Sequence, residues 1–236
     1  MAIDLPPFVI PAGELLQHVS RVTYRQRPLH YGRDGTNRYD AARQHYGVLY
    51  LGRDLPTALM ESVFHKHNWL VDQTRSIALK EVQSRLVRAV GVLENLCLAD
   101  LTAPGVMAGY FGLNLEQLAS RDYSITQHVS EHIHAMRHDP ERPAFDGLLY
   151  PARNNYPATS VALFDRAETK ITVIEDIDLV DHVEWPAFVS RYRIGVEPDP
   201  GPVDQSDGEI VDWGFESLES STSDDLSSDP ELLLGA

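Results

Sequence analysis

The sequence predicts an α+β domain, a mixed β-sheet flanked by helices, followed by an acidic tail. Three observations lead there. Short apolar runs bounded by turn residues, such as Val48-Leu49-Tyr50-Leu51 between Gly47 and Gly52, read as buried strands. Other segments repeat their apolar residues at helical spacing, most clearly Ile125, Val129, Ile133 and Met136. From Glu197 onward Asp, Ser, Gly and Pro dominate, and too few apolar groups remain to offset chain entropy. The expected organisation is one domain over residues 1–196 and a disordered tail over 197–236.

In chain order, the strand at Val48–Leu51 leads into a helix that Asp54 can cap, with Pro56 in its first turn. Leu55, Ala58, Leu59 and Ser62 or Val63 supply its inner face, and Glu61 lies off that stripe, either at the rim of a cleft or in water. Residues 77–101, with Val82, Val87, Val90 and Val92, suggest strands up to Leu98-Ala99-Asp100-Leu101. Two helices are expected near 104–120 and 124–137. Gly147-Leu148-Leu149-Tyr150, Val161-Ala162-Leu163-Phe164 and Lys170-Ile171-Thr172-Val173-Ile174 read as three more strands.

The formal charge of −15 is concentrated at the end of the chain. The tail holds 12 carboxylates and no Lys or Arg, leaving residues 1–196 at −3. Neither part shows the basic stripe that nucleic acid or an anionic membrane surface requires. The single cysteine, Cys97, excludes an intramolecular disulfide and fits a small buried side chain in a reducing compartment. Met1-Ala2-Ile3-Asp4-Leu5-Pro6-Pro7 is not a secretory signal, and no run has the length of a membrane span, so a cytoplasmic protein is expected.

The groups with chemical potential cluster early. Arg21 and Arg38 stand beside apolar or aromatic residues, and a guanidinium offers a planar fork suited to phosphate. A surface ion pair is the ordinary alternative for either. Tyr50 is a core tyrosine or a platform for a flat ring. Glu61 is an exposed helical carboxylate or, partly buried, a stabiliser of positive charge on a ribosyl centre. Ser124 stands where a helix N-cap belongs and could also turn its hydroxyl toward a phosphate. His128 and His132 share a helical face in an H-x-x-E-H pattern, which makes a zinc hydrolase a competing reading.

Taken together, Arg21, Asn37-Arg38-Tyr39, Val48-Leu49-Tyr50-Leu51 leading into Ala58-Leu59-Met60-Glu61, Asp122-Tyr123-Ser124, Asp146-Gly147-Leu148-Leu149-Tyr150-Pro151 and Ala162-Leu163-Phe164 resemble the RES-domain family. The resemblance spans roughly residues 15–180. It implies an ADP-ribosyltransferase-like core, NAD as substrate, and a toxin of a bacterial toxin–antitoxin pair with a cognate antitoxin as partner. It implies cleavage of the nicotinamide–ribose bond, with transfer of ADP-ribose to phosphate or water, or to a protein target. No metal is implied. Arg21, Glu61 and Ser124 match the triad that gives the family its name, while Arg38, Tyr39 and Tyr50 would complete the NAD pocket. Tyr39 stands where Trp or Phe is commoner, and Ala152 where many relatives carry serine. Ala152 and the long tail leave a non-catalytic, partner-binding protein as a further alternative.

Overall fold

A computed structural model of the chain describes residues 5–64 and 75–198. The expected tail beyond residue 198, and the histidines His65 and His67, lie outside the described residues. The described residues fall within one compact unit.

The fold is α+β, as expected, around an eight-stranded mixed sheet. Strands β1 (Pro7–Ile10) and β2 (Leu15–Arg21) precede β3 (Val48–Gly52), which leads into helix α1 (Leu55–Ser62). Next come β4 (Arg75–Ala78), the short helix α2 (Leu79–Gln83), β5 (Arg85–Val92) and β6 (Leu96–Asp100). Helices α3 (Leu115–Ala119) and α4 (Ser124–Ala135) are followed by the small hairpin β7 (Arg137–Asp139) and β8 (Arg142–Pro143). Strands β9 (Gly147–Pro151), β10 (Thr159–Phe164) and β11 (Ile171–Asp178) complete the sheet, before α5 (Trp185–Tyr192) and β12 (Ile194–Glu197). The order is β1-β6-β9-β10-β3-β2-β5-β11, with β6 and β9 parallel. A separate parallel pair joins β12 to β4.

Alternation along the central strands sorts side chains onto two faces. Val48, Leu148, Tyr150, Ala162 and Phe164 pack against Val129 and Ile133 of α4. On the opposite face Leu49, Leu51, Leu149, Val161 and Leu163 share one core with Ile10 and Leu98 from one end of the sheet and Val90 and Ile171 from the other. Residues from both ends meet in one cluster because the sheet curls. A third cluster seats α1 and α5 beside β2 and β5, through Leu55, Leu59, Trp185, Phe188, Val19 and Val87.

Helix α1 starts as its sequence requires. Asp54 Oδ1 accepts the Thr57 N–H at 2.7 Å, and Pro56 occupies the first turn, where no amide partner is needed. Gly52 allows the helix to begin directly on the strand end, since a Cβ there would come within 2.5 Å of the Ala58 nitrogen. This fixes Glu61 two turns further on.

Three expectations need correction. Val82, expected within a strand, lies in helix α2. The helix anticipated over 104–120 is broken into a π-helical turn at Val106–Tyr110 and α3, because Gly105 and Gly112 adopt positive φ on either side of the turn. Ser124 is the first residue of α4 and does not cap it. Tyr123 stands at the N-cap position and its side chain makes no capping bond, while Asp122 Oδ1, just ahead of it, accepts the Ser124 N–H at 3.0 Å. The Ser124 bonds hold the exposed Asp122 carboxyl below its ordinary range.

Candidate functional site

Strand β2 pairs with β5 along its whole length but with β3 only at Gln17↔Gly52. Beyond that pair the sheet opens. His18 bridges the opening, its Nδ1 lying 3.0 Å from the Tyr50 carbonyl oxygen, and burial holds its pKa below the ordinary value. Residues 22–47 cross this region between the two strands, and Gly32 takes a place beside Val48 through two 3.0 Å backbone hydrogen bonds.

The part of that connection carrying Arg38 is fastened from two sides. Asp40 is completely buried; its Oδ1 accepts the Tyr50 hydroxyl at 2.9 Å and its Oδ2 accepts the Asn37 N–H at 2.8 Å. The Tyr50 oxygen in turn accepts the Tyr39 N–H at 2.9 Å. From α4, Gln127 Nε2 donates to the carbonyls of Gly35 and Asn37 at 2.8 and 3.0 Å, and Ser130 Oγ donates to the Tyr39 carbonyl at 2.7 Å. The alternation of polar Gln127 and Ser130 with apolar Val129 and Ile133 on α4 therefore builds both a core and a clamp.

The clamp shapes one wall of a cleft of about 560 Å³. Thr36, Asn37 and Arg38 line that wall, Tyr50 and Tyr150 come from the sheet, and Glu61 and Ser62 come from α1. Arg121, Tyr123 and Arg153 close the remaining side. A recess of about 80 Å³ adjoins it, sharing Tyr50, Glu61 and Tyr150 and adding Gln17, His18 and Ser160.

Glu61 sits at the rim, half-buried, and its Oε1 accepts the Asn154 backbone N–H at 2.8 Å. The same loop is tied to α1 by Asn155 Nδ2 on Thr57 Oγ1 at 2.9 Å, and to α5 by Tyr192 Oη on Asn155 Oδ1 at 2.7 Å. Tyr39 and Tyr150 stack at a tilt, with ring centroids 4.7 Å apart. Burial pushes the Tyr39 phenol up to about 12, opposed by a hydrogen bond from Arg38. Burial and then Glu61 raise Tyr150, and burial and then Asp40 raise Tyr50. All three phenols are neutral at physiological pH. Three guanidinium groups and one carboxylate thus share the cleft with uncharged aromatic rings.

A protein-family model for the RES domain matches residues 15–186. The chain belongs to the RES-domain family. The matched stretch includes every residue that lines the cleft. No curated protein matches the chain.

The RES domain brings Arg38, Tyr50 and Glu61 together, with Tyr39 buried immediately behind them. It does not bring Arg21 or Ser124 to the cleft lining. Arg21 is exposed at the end of β2, its Nη1 3.5 Å from Glu81 Oε2, the surface ion pair that was its ordinary alternative. Ser124 is exposed beside Tyr123, which does line the cleft. Ala152 is wholly buried between Tyr150 and Arg153, its N–H donating to Ala158 O at 2.9 Å.

Sequence reasoning missed Arg121, Tyr150 and Arg153 as cleft residues. Each adjoins or falls within a motif already noted, Arg121 just before Asp122-Tyr123-Ser124 and the other two flanking Pro151-Ala152. His128 and His132 are exposed on α4 and line none of the cleft. Among the described residues no group of three or more His, Cys, Asp or Glu side chains is placed to hold a metal ion. Among them, too, no helix is long and apolar enough to cross a membrane.

Proposed function

We propose that this RES domain consumes NAD, cleaving its nicotinamide–ribose bond and passing ADP-ribose to phosphate or water. The observation that carries the reading is the convergence of Glu61 with three arginines and three tyrosines in one cleft. Its volume falls within the range that holds metabolite-sized ligands, roughly 300–1,000 Å³. A pyrophosphate asks for guanidinium forks, which Arg38, Arg121 and Arg153 supply. A nicotinamide ring asks for flat apolar walls, which Tyr50 and Tyr150 supply.

Chemistry then falls to Glu61. When the C1′–N bond breaks, its electron pair leaves with nicotinamide, which departs neutral, and positive charge develops on the ribose. A carboxylate held at the rim by Asn154 stabilises that charge without having to reorient. An oxygen of phosphate or water then forms the new bond at C1′. Phosphate gives ADP-ribose carrying a phosphate on that carbon, whereas water gives ADP-ribose and a proton.

Loss of NAD would arrest growth, so the same proposal includes action in the cytoplasm as a toxin and silencing by a cognate antitoxin that covers the cleft. The test is mass spectrometry of products from purified protein and NAD, with and without phosphate, alongside Glu61→Ala. Phosphate-dependent loss of NAD identifies a phosphorylase, and phosphate-independent loss a hydrolase. NAD left intact in every condition rejects both and leaves modification of a protein target, or no catalysis. Growth arrest that persists in Glu61→Ala would also overturn the enzyme reading.

A further inference from the structure

Strand β9 has a functional cleft at its Tyr150 end and a second, separate pocket at its other end. The two are about 13 Å apart along the strand from Asp146 to Tyr150, at the usual rise per residue. The second pocket measures about 280 Å³ and shares no lining residue with the cleft. Arg142 and His138 reach it from the β7–β8 hairpin, and Arg166 and Lys170 from the turn between β10 and β11.

Its charge is unbalanced. Asp146 Oδ2 pairs with Lys170 Nζ at 2.9 Å and also accepts the Cys97 N–H at 2.8 Å, leaving Arg142 and Arg166 as the excess. Arg166 lies over the Phe164 ring, its Cζ 5.0 Å from the centroid, and donates Nη2 to the His134 carbonyl at 2.7 Å. Its Nε and Nη1 are buried and have no hydrogen-bond partner among the described residues. Two orphaned donors on a cation are costly unless an acceptor meets them. Burial and then the nearby Arg137 charge bring the Arg166 pKa down to about 10, against the opposing pull of Asp146 and Asp165.

We propose that this pocket is a binding site for a phosphate group, either free phosphate or the phosphate of a small monoester. Two excess guanidinium groups match the charge of a dianion, and an unpartnered charged donor favours an anionic acceptor.

The test is an NMR titration of the full-length, ¹⁵N-labelled protein with inorganic phosphate at constant ionic strength, following the Arg166 Nε–H and the Cys97 backbone N–H. Saturating shifts at both are expected. Arg142→Gln, an exposed position where folding is not at stake, should weaken binding roughly tenfold, the loss of one charged hydrogen bond. Arg166→Gln should abolish it, and Arg38→Gln, in the other cleft, should leave it unchanged. A parallel titration with glycerol 3-phosphate names the source: tighter binding means a monoester, equal or weaker binding the free ion. Shifts that never saturate, that survive Arg142→Gln and Arg166→Gln, or that vanish in Arg38→Gln would overturn the proposal.

Discussion

The Glu61 carboxylate accepts the backbone N–H of Asn154 at 2.8 Å, joining helix α1 to the β9–β10 loop across the rim of the cleft. One carboxylate oxygen therefore anchors the side chain by a bond that an amide oxygen could also make. Glu61→Gln should keep this anchor while removing the charge. Nicotinamide release is expected to fall by about 100-fold or more, on the scale of losing one preorganised electrostatic group. Thermal unfolding should barely change, whereas Glu61→Ala should lose both activity and some stability.

The Tyr50 hydroxyl is a structural bolt between the sheet and the Arg38 segment. Tyr50→Phe leaves the buried Asp40 Oδ1 and the Tyr39 N–H without the partner they share. Equilibrium urea unfolding should show a loss of about 1–3 kcal/mol, the usual cost of stranding buried polar groups.

Gln127 contributes through position alone. Gln127→Ala removes the donor that fixes the Gly35 and Asn37 carbonyls, and Gln127 itself does not line the cleft. For an NAD-consuming enzyme the expected result is a KM raised severalfold with a smaller change in kcat, measured by steady-state nicotinamide release.

Acid should destabilise the fold partly through His134. This half-buried ring stacks on Tyr46 with centroids 3.9 Å apart, and burial, Arg166 and His45 lower its pKa from 6.5 to about 4. Below pH 6.5 the unfolded chain accepts a proton that the folded one refuses, so this contribution is lost as pH falls toward 4. The loss should be on the order of 2–3 kcal/mol. His134→Phe keeps an aromatic ring and should flatten that part of the stability curve between pH 7.5 and 4.5. His18 acts in the same direction in both proteins and drops out of the comparison.

Much of the fold was legible in the sequence because its signals are local. Apolar runs between turn residues gave β3, β9, β10 and β11, and the spacing of Ile125, Val129 and Ile133 gave α4. Strands β1 and β2 and helix α5 were missed. Leu15-Leu16-Gln17-His18-Val19 alternates poorly, since Gln17 and His18 face the opening beside β3 instead of water or core. At the site, Arg38, Tyr50 and Glu61 were found because short motifs surround them. Arg121 and Arg153 were not, because a loop arginine carries no periodicity and its direction is set by distant contacts. Arg21 shows the converse: a motif marks the position, yet the side chain turns to Glu81.

The early parting of β2 from β3 has a cost that residues 22–47 carry. A strand abandoned by its neighbour presents bare amide and carbonyl groups, which invite pairing with another chain. Gly32 covers that edge of β3 through its paired bonds with Val48, while the same segment presents Arg38 to the cleft. Shortening this connection would thus do more than empty the site. It would turn an internal strand into a sticky one, and the expected failure is aggregation.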